Sequence, residues 1–167
     1  ADLARAALEH DLHLDVARLC PFARWITPEA EQRRFDARFF LLELPEGQEA
    51  RCCTTETTLG FWASPEEVLR RFMAGEIQLA PPTTRCLEVL SAAASIERAR
   101  SIASEQTLSP ICPRFVPGDP PFLAIPGDPE HEVPERRVAG PTRFVLRDGK
   151  FVSEDPGSSL HGTPGSR

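Results

Sequence analysis

The sequence predicts an α/β (α+β) fold, and three observations lead there. The run Arg34–Leu44 alternates apolar and polar residues at a strand period and then turns apolar on both faces. Ser64-Pro65-Glu66-Glu67 opens a helix, with Ser64 as N-cap, Pro65 at N1 and Glu67 completing a capping box. Asp148-Gly149 sits between two β-prone runs, a two-residue hairpin signal. Through about residue 105, strand and helix patterns alternate.

In chain order, residues 2–12 carry apolar positions at helical spacing. Residues 19–27 are apolar and aromatic (Phe22, Trp25, Ile26), a strand closed by Thr27-Pro28. In the strand 34–44, Phe35, Ala37, Phe39 and Leu41 take one face. Arg34, Asp36 and Arg38, followed by Phe40, Leu42 and Leu44, take the other. A strand apolar on both faces at one end is expected in the middle of a covered sheet, and Pro45-Glu46-Gly47 ends it as a turn. A further strand is expected at about 57–63. The helix after Ser64 should bury Val68, Leu69, Phe72 and Met73 and stop at Gly75. Pro81-Pro82-Thr83 opens another, with Leu87, Leu90 and Ala94 on one face, and Ile96, Ala99 and Ala103 either extend it or begin a third.

From Ser109 the chain changes character. Six of the seventeen prolines fall in residues 1–109 and eleven in 110–167, and Pro-Gly-Asp-Pro occurs at both 117–120 and 126–129. The expected organisation is a main domain over 1–108, a Pro/Gly-rich extension over 109–152 carrying short strands such as 122–125 and the 142–152 hairpin, and a flexible tail over 153–167.

The 167 residues bound the chain to one ordinary domain, with or without a small appendage. A net charge of −6 (19 Lys+Arg against 25 Asp+Glu) argues against a nucleic-acid footprint or a polybasic membrane patch. No apolar run approaches the roughly 18 residues of a spanning helix, and no basic-plus-apolar leader is present. Five cysteines at irregular positions fit reduced thiols better than a disulfide framework. Together these lead to a cytoplasmic protein without a nucleic-acid or membrane partner. The sequence begins at Ala1 and its single methionine is Met73, so a missing upstream segment is expected.

Chemistry motifs are sparse. Vicinal Cys52-Cys53 cannot both reach one tetrahedral ion without a special backbone and have no C-x-x-C partner; they are expected to be ordinary thiols. His131, within Asp128-Pro129-Glu130-His131-Glu132, is read as a solvated loop residue in preference to a ligand. There is no Gly-rich phosphate loop, no H-E-x-x-H and no G-x-S-x-G. The informative residues are Arg24 beside Trp25, then Arg34, Asp36 and Arg38. Guanidinium forks suit phosphate and carboxylate, and aromatic faces suit a nucleobase or an acyl chain. The same residues also fit a structural ion-pair ladder at the end of a sheet.

These residues carry a resemblance. Pro21-Phe-Ala-Arg-Trp-Ile-Thr-Pro-Glu29 and Arg33-Arg-Phe-Asp-Ala-Arg-Phe-Phe40 resemble Nudix hydrolases related to the peroxisomal coenzyme A diphosphatase and its bacterial relatives. Glu56, Trp62 with Ser64-Pro65, Gly75-Glu76-Ile77 and Pro81-Pro82-Thr83 follow in order. The likeness spans residues 15–95, with tail segments 123–131 and 142–149 similar to bacterial members. It implies the C-terminal portion of a Nudix-type α/β/α sandwich with a mixed sheet, and hydrolysis of a small-molecule diphosphate, coenzyme A or acyl-coenzyme A. The metal ions implied are Mg²⁺ or Mn²⁺, which neutralise bridging oxygens and activate water.

The family's box, G-x5-E-x7-R-E-x-x-E-E-x-G, does not occur here: no Arg-Glu-x-x-Glu-Glu is present. The resemblance therefore assigns no catalytic residue in this chain. It leaves Arg24, Trp25, Arg34 and Arg38 as substrate-binding candidates and Glu56 as the metal-ligand candidate, and it implies that this chain alone is inactive. Without the box helix, the Phe35/Phe39 or Phe40/Leu42 face is left partly bare. The competing expectations are a non-catalytic binding or interaction module on the same scaffold, or a structural remnant.

Overall fold

The computed structural model describes residues 3–11, 15–50 and 60–157. The observed class is α+β. Helix α1 (Leu3–Glu9) and a 3₁₀ turn (Val16–Arg18) lead into strands β1 (Cys20–Ile26) and β2 (Asp36–Leu41). Helices α2 (Pro65–Met73), α3 (Pro81–Leu90) and α4 (Ile96–Glu105) follow. Strands β3 (Arg114–Val116), β4 (Phe122–Ala124), β5 (Arg143–Arg147) and β6 (Lys150–Glu154) complete the order.

β1 and β2 form an antiparallel ribbon, and β3–β6 form a four-stranded antiparallel sheet in sequence order. The implied mixed sheet is thus two antiparallel ones among the described residues. Parallel pairing enters at one bridge, Trp25 with Ile111. There the Ile26 N–H donates to Ile111 O at 2.8 Å and the Ile111 N–H donates to Arg24 O at 2.9 Å. This bridge joins the ribbon to the C-terminal third of the chain.

β2 differs from the sequence reading. Among the described residues it pairs only with β1, and one face is half-buried while Phe40, Leu42 and Leu44 remain exposed on and beyond it. Among the described residues it is an edge strand, not the centre of a covered sheet. A bulge in β1 between Pro21 and Ala23 accounts for two consecutive buried residues, Phe22 and Ala23, because the extra residue resets the alternation. The expected strand at 57–63 is not found in its described part, since residues 60–63 form no ladder; residues 51–59 lie outside the described residues.

The helices follow their end signals. Ser64 Oγ accepts from the Glu67 N–H at 3.3 Å and Pro65 stands at the start of α2. Glu67 turns its carboxylate to Arg70 and Arg71 at 2.7 Å each. At the other end Gly75, with φ +77°, closes a Schellman motif: Gly75 N–H donates to Phe72 O and Glu76 N–H to Arg71 O. Lys150 reaches from β6 to the Met73 carbonyl at 3.0 Å, a cation at the negative helix end. Phe72 is buried, but Met73 is exposed, contrary to the expected stripe. In α3 the buried positions are Thr84, Arg85 and Cys86. Leu87 and Leu90 are half-buried and Ala94 lies exposed beyond the helix. Ser95, accepting from the Arg98 N–H at 3.2 Å, starts α4 as a separate helix.

The core unites both parts of the chain: Phe22, Trp25, Cys86, Ile102 and Ile111 pack with Leu123, Ile125 and Phe144. Burying each large apolar side chain contributes about 1.5–3 kcal/mol. Trp25 meets Phe144 edge-on, ring centres 6.3 Å apart. Asp148 (φ 48°) and Gly149 (φ 76°) make the left-handed turn between β5 and β6. The buried Asp128 secures the second Pro-Gly-Asp-Pro loop to β5, accepting from Thr142 at 3.0 Å, Arg143 at 2.8 Å and the Glu130 N–H at 2.9 Å. Burial alone would raise its carboxyl, but these donors outweigh burial and hold it below the usual range.

Candidate functional site

Antiparallel pairing brings Arg24 opposite Arg38, with Asp36 two residues along on the same face of β2. Arg24 grips Asp36 in a two-pronged ion pair, Nε to Oδ1 at 2.9 Å and Nη2 to Oδ2 at 2.8 Å. The hydrogen bond from Arg24 holds the Asp36 carboxyl below its ordinary value, aided by the charges of Arg24 and Arg38. Arg38 stands 3.9 Å from the same carboxylate and is 65% exposed. One carboxylate between two guanidiniums leaves a single positive charge in surplus, and Arg38 is the group free to present it. Arg24 and Arg38 line a depression of about 350 Å³ whose apolar side includes Phe40 and Leu108. Chemically, this face suits an anion attached to an apolar group.

The other candidates do not join that face. Arg34 precedes β2 and turns away, Nε donating to Thr27 O at 3.0 Å and Nη2 contacting Cys112 Sγ at 3.8 Å. Trp25 follows Arg24 directly on a strand, so its side chain takes the opposite face, where it is 2% exposed in the core. Glu56 lies outside the described residues, as do Cys52 and Cys53.

His131 is half-buried and carries two backbone contacts. Val133 N–H donates to Nδ1 at 3.0 Å, so Nε2 bears the proton and donates to Cys112 O at 2.9 Å. It braces a loop. Among the described residues, no three His, Cys, Asp or Glu side chains are grouped to hold a metal ion. The donors among the described residues do not fit Mg²⁺ or Mn²⁺, which take several oxygen ligands.

Sequence reasoning missed Arg85. It is 1% exposed beneath a cavity of about 480 Å³. It donates to Ala139 O at 3.3 Å and to Ser153 Oγ at 2.7 Å, lies over the Phe144 ring at 5.1 Å, and pairs with Glu88 at 2.9 Å. Burial pushes the Glu88 carboxyl up, against the pull of Arg85. The only local signal was a charged residue on the side of α3 that carries Cys86.

No family model matches the chain, and no solved structure matches it. A curated relative is the acyl-coenzyme A diphosphatase NUDT19 of Gallus gallus, 29% identical over 160 residues, covering 88% of this chain and 42% of the relative. The chain therefore spans less than half the length of that relative. The likeness is to a diphosphatase, and it is distant. Among the described residues no helix is long and apolar enough to cross a membrane.

Proposed function

We propose that this chain is the C-terminal portion of a Nudix-type hydrolase that cleaves a diphosphate bond in coenzyme A or an acyl-coenzyme A. The 29% identity to the Gallus gallus acyl-coenzyme A diphosphatase carries the reading. In this proposal residues 1–108 complete the hydrolase domain and residues 109–152 extend it. Mg²⁺ or Mn²⁺ is held by the glutamate box of the longer protein, with Glu56 adding a ligand. Arg38 takes a phosphate of the substrate, and Asp36 keeps Arg24 in place beside it. Phe40 and Leu108 offer apolar contact to the rest of the molecule. A charge-assisted contact of this kind contributes roughly 1.5–3 kcal/mol.

Calorimetric titration of coenzyme A onto the chain tests the binding half. Arg38→Ala is expected to weaken binding about tenfold or more with melting unchanged, whereas Arg24→Ala releases Asp36 and lowers both. Coenzyme A hydrolysis with Mg²⁺ tests the other half: activity is expected in the longest natural product containing this sequence and not in residues 1–167 alone. Binding without hydrolysis in that longer product would establish a non-catalytic module instead. Absence of both binding and hydrolysis in that longer product would overturn the proposal.

A further inference from the structure

A second concave surface lies on the core side of the β1–β2 ribbon, away from Arg24 and Arg38. It is a cleft of about 430 Å³, within the roughly 300–1,000 Å³ typical of small-molecule sites. Buried Trp25 and Leu123 form its base. Phe35 and Phe115, 55% and 45% exposed, stand at its edge. Pro81 and Pro82, at the first turn of α3, close one side.

The base and one wall are preorganised. Trp25 is held edge-on by Phe144, and the prolines have fixed φ, so little ordering entropy opposes a ligand. The polar groups at the cleft decide what it takes. Arg33 lies over the Phe35 ring at 5.0 Å and has no ion-pair partner among the described residues. Its guanidinium is thus free to meet a negative charge while stacked beside an aromatic surface. Glu31 also lines the cleft and opposes that charge.

The geometry points to a binding site for a planar aromatic anion, its ring against the exposed Phe35 and Phe115 above the Trp25 base and its carboxylate on Arg33. The site is independent of the diphosphatase reading, because it uses the other face of the ribbon and other residues. Flat aromatic surface with one unpaired cation selects against neutral rings, which forgo the Arg33 contact, and against non-planar acids, which lose the stacking.

Trp25 supplies the reporter. The chain has two tryptophans, and Trp62 is 76% exposed, so Trp62→Phe costs little and leaves Trp25 as the sole emitter. Titration of this protein with 2-naphthoate is expected to change Trp25 emission saturably, with one site by calorimetry. Arg33→Gln should weaken 2-naphthoate about tenfold and leave the neutral 2-naphthamide unaffected. Glu31→Gln should tighten 2-naphthoate. Cyclohexanecarboxylate should bind more weakly than 2-naphthoate. Both substitutions are at exposed loop positions, so folding is retained. The inference is overturned by any of three results: no saturable response, equal affinity for naphthoate and naphthamide with no effect of Arg33→Gln, or cyclohexanecarboxylate binding as tightly as naphthoate.

Discussion

Replacing Arg85 by methionine keeps an apolar stem and removes the five donors of the guanidinium, which makes it a direct probe of what holds α3 to the C-terminal sheet. In the wild type one guanidinium serves acceptors from three segments: Ala139 and Pro141 in the loop before β5, Ser153 in β6, and Glu88 one turn along α3. Its loss leaves buried acceptors without donors and a half-buried carboxylate without its cation. Removing one partner of a buried pair costs about 3–5 kcal/mol. The methionine recovers little of this, because the space it fills was already filled by the arginine stem. For a chain of this size each kcal/mol lowers Tm by about 2–4 °C, so a fall of about 6–20 °C is expected. Thermal and urea melts followed by circular dichroism measure it. The double variant Arg85→Met/Glu88→Leu should be more stable than Arg85→Met alone, since the stranded carboxylate is removed with its partner. If Arg85→Met is too unstable to purify, Glu88→Gln tests the same pair more gently. A loss below about 1 kcal/mol for Arg85→Met, or a double variant no better than the single, would refute the reasoning.

Two further expectations follow from the same contacts. Gly140 has φ +96°, and a Cβ there would lie 1.9 Å from Arg85 Nη1; Gly140→Ala should therefore destabilise the chain by about 1–3 kcal/mol from strain and crowding, with a smaller loss in the Arg85→Met background, measured by urea denaturation of the four proteins. Glu67 is held down to about 2 by hydrogen bonds from Arg70 and then Arg71. Because its folded value lies below the unfolded one, the stability it contributes is complete above about pH 4.5 and lost as pH falls through about 2. Carboxyl titration by nuclear magnetic resonance should find Glu67 ionised at pH 3, and Glu67→Gln should flatten the acid limb of the stability curve.

The sequence by itself determined what depends on residues a few positions apart. The start of α2 is set by Ser64 bonding the Glu67 N–H, and the β5–β6 turn by the ease with which Asp148 and Gly149 adopt positive φ. The strand over 20–26 is legible from its apolar and aromatic content and that over 36–41 from alternation, and so is the bond between Arg24 and Asp36 once those strands pair. Alternation also separates Arg24 from Trp25 across the ribbon, since adjacent strand residues point to opposite faces. Tertiary structure decided the rest. The same apolar residues Phe40, Leu42 and Leu44 suit a covered strand or an exposed edge, and only the neighbours present determine which. Arg34 lies in register with Asp36 and Arg38 by sequence, but the chain reverses before β2 and the Thr27 carbonyl captures it. Arg85 shows the limit most clearly. Its acceptors Ala139, Pro141 and Ser153 lie 54, 56 and 68 residues away, and a charge can be buried only where such partners have already converged, so its place beside Cys86 on α3 does not by itself mark it as buried.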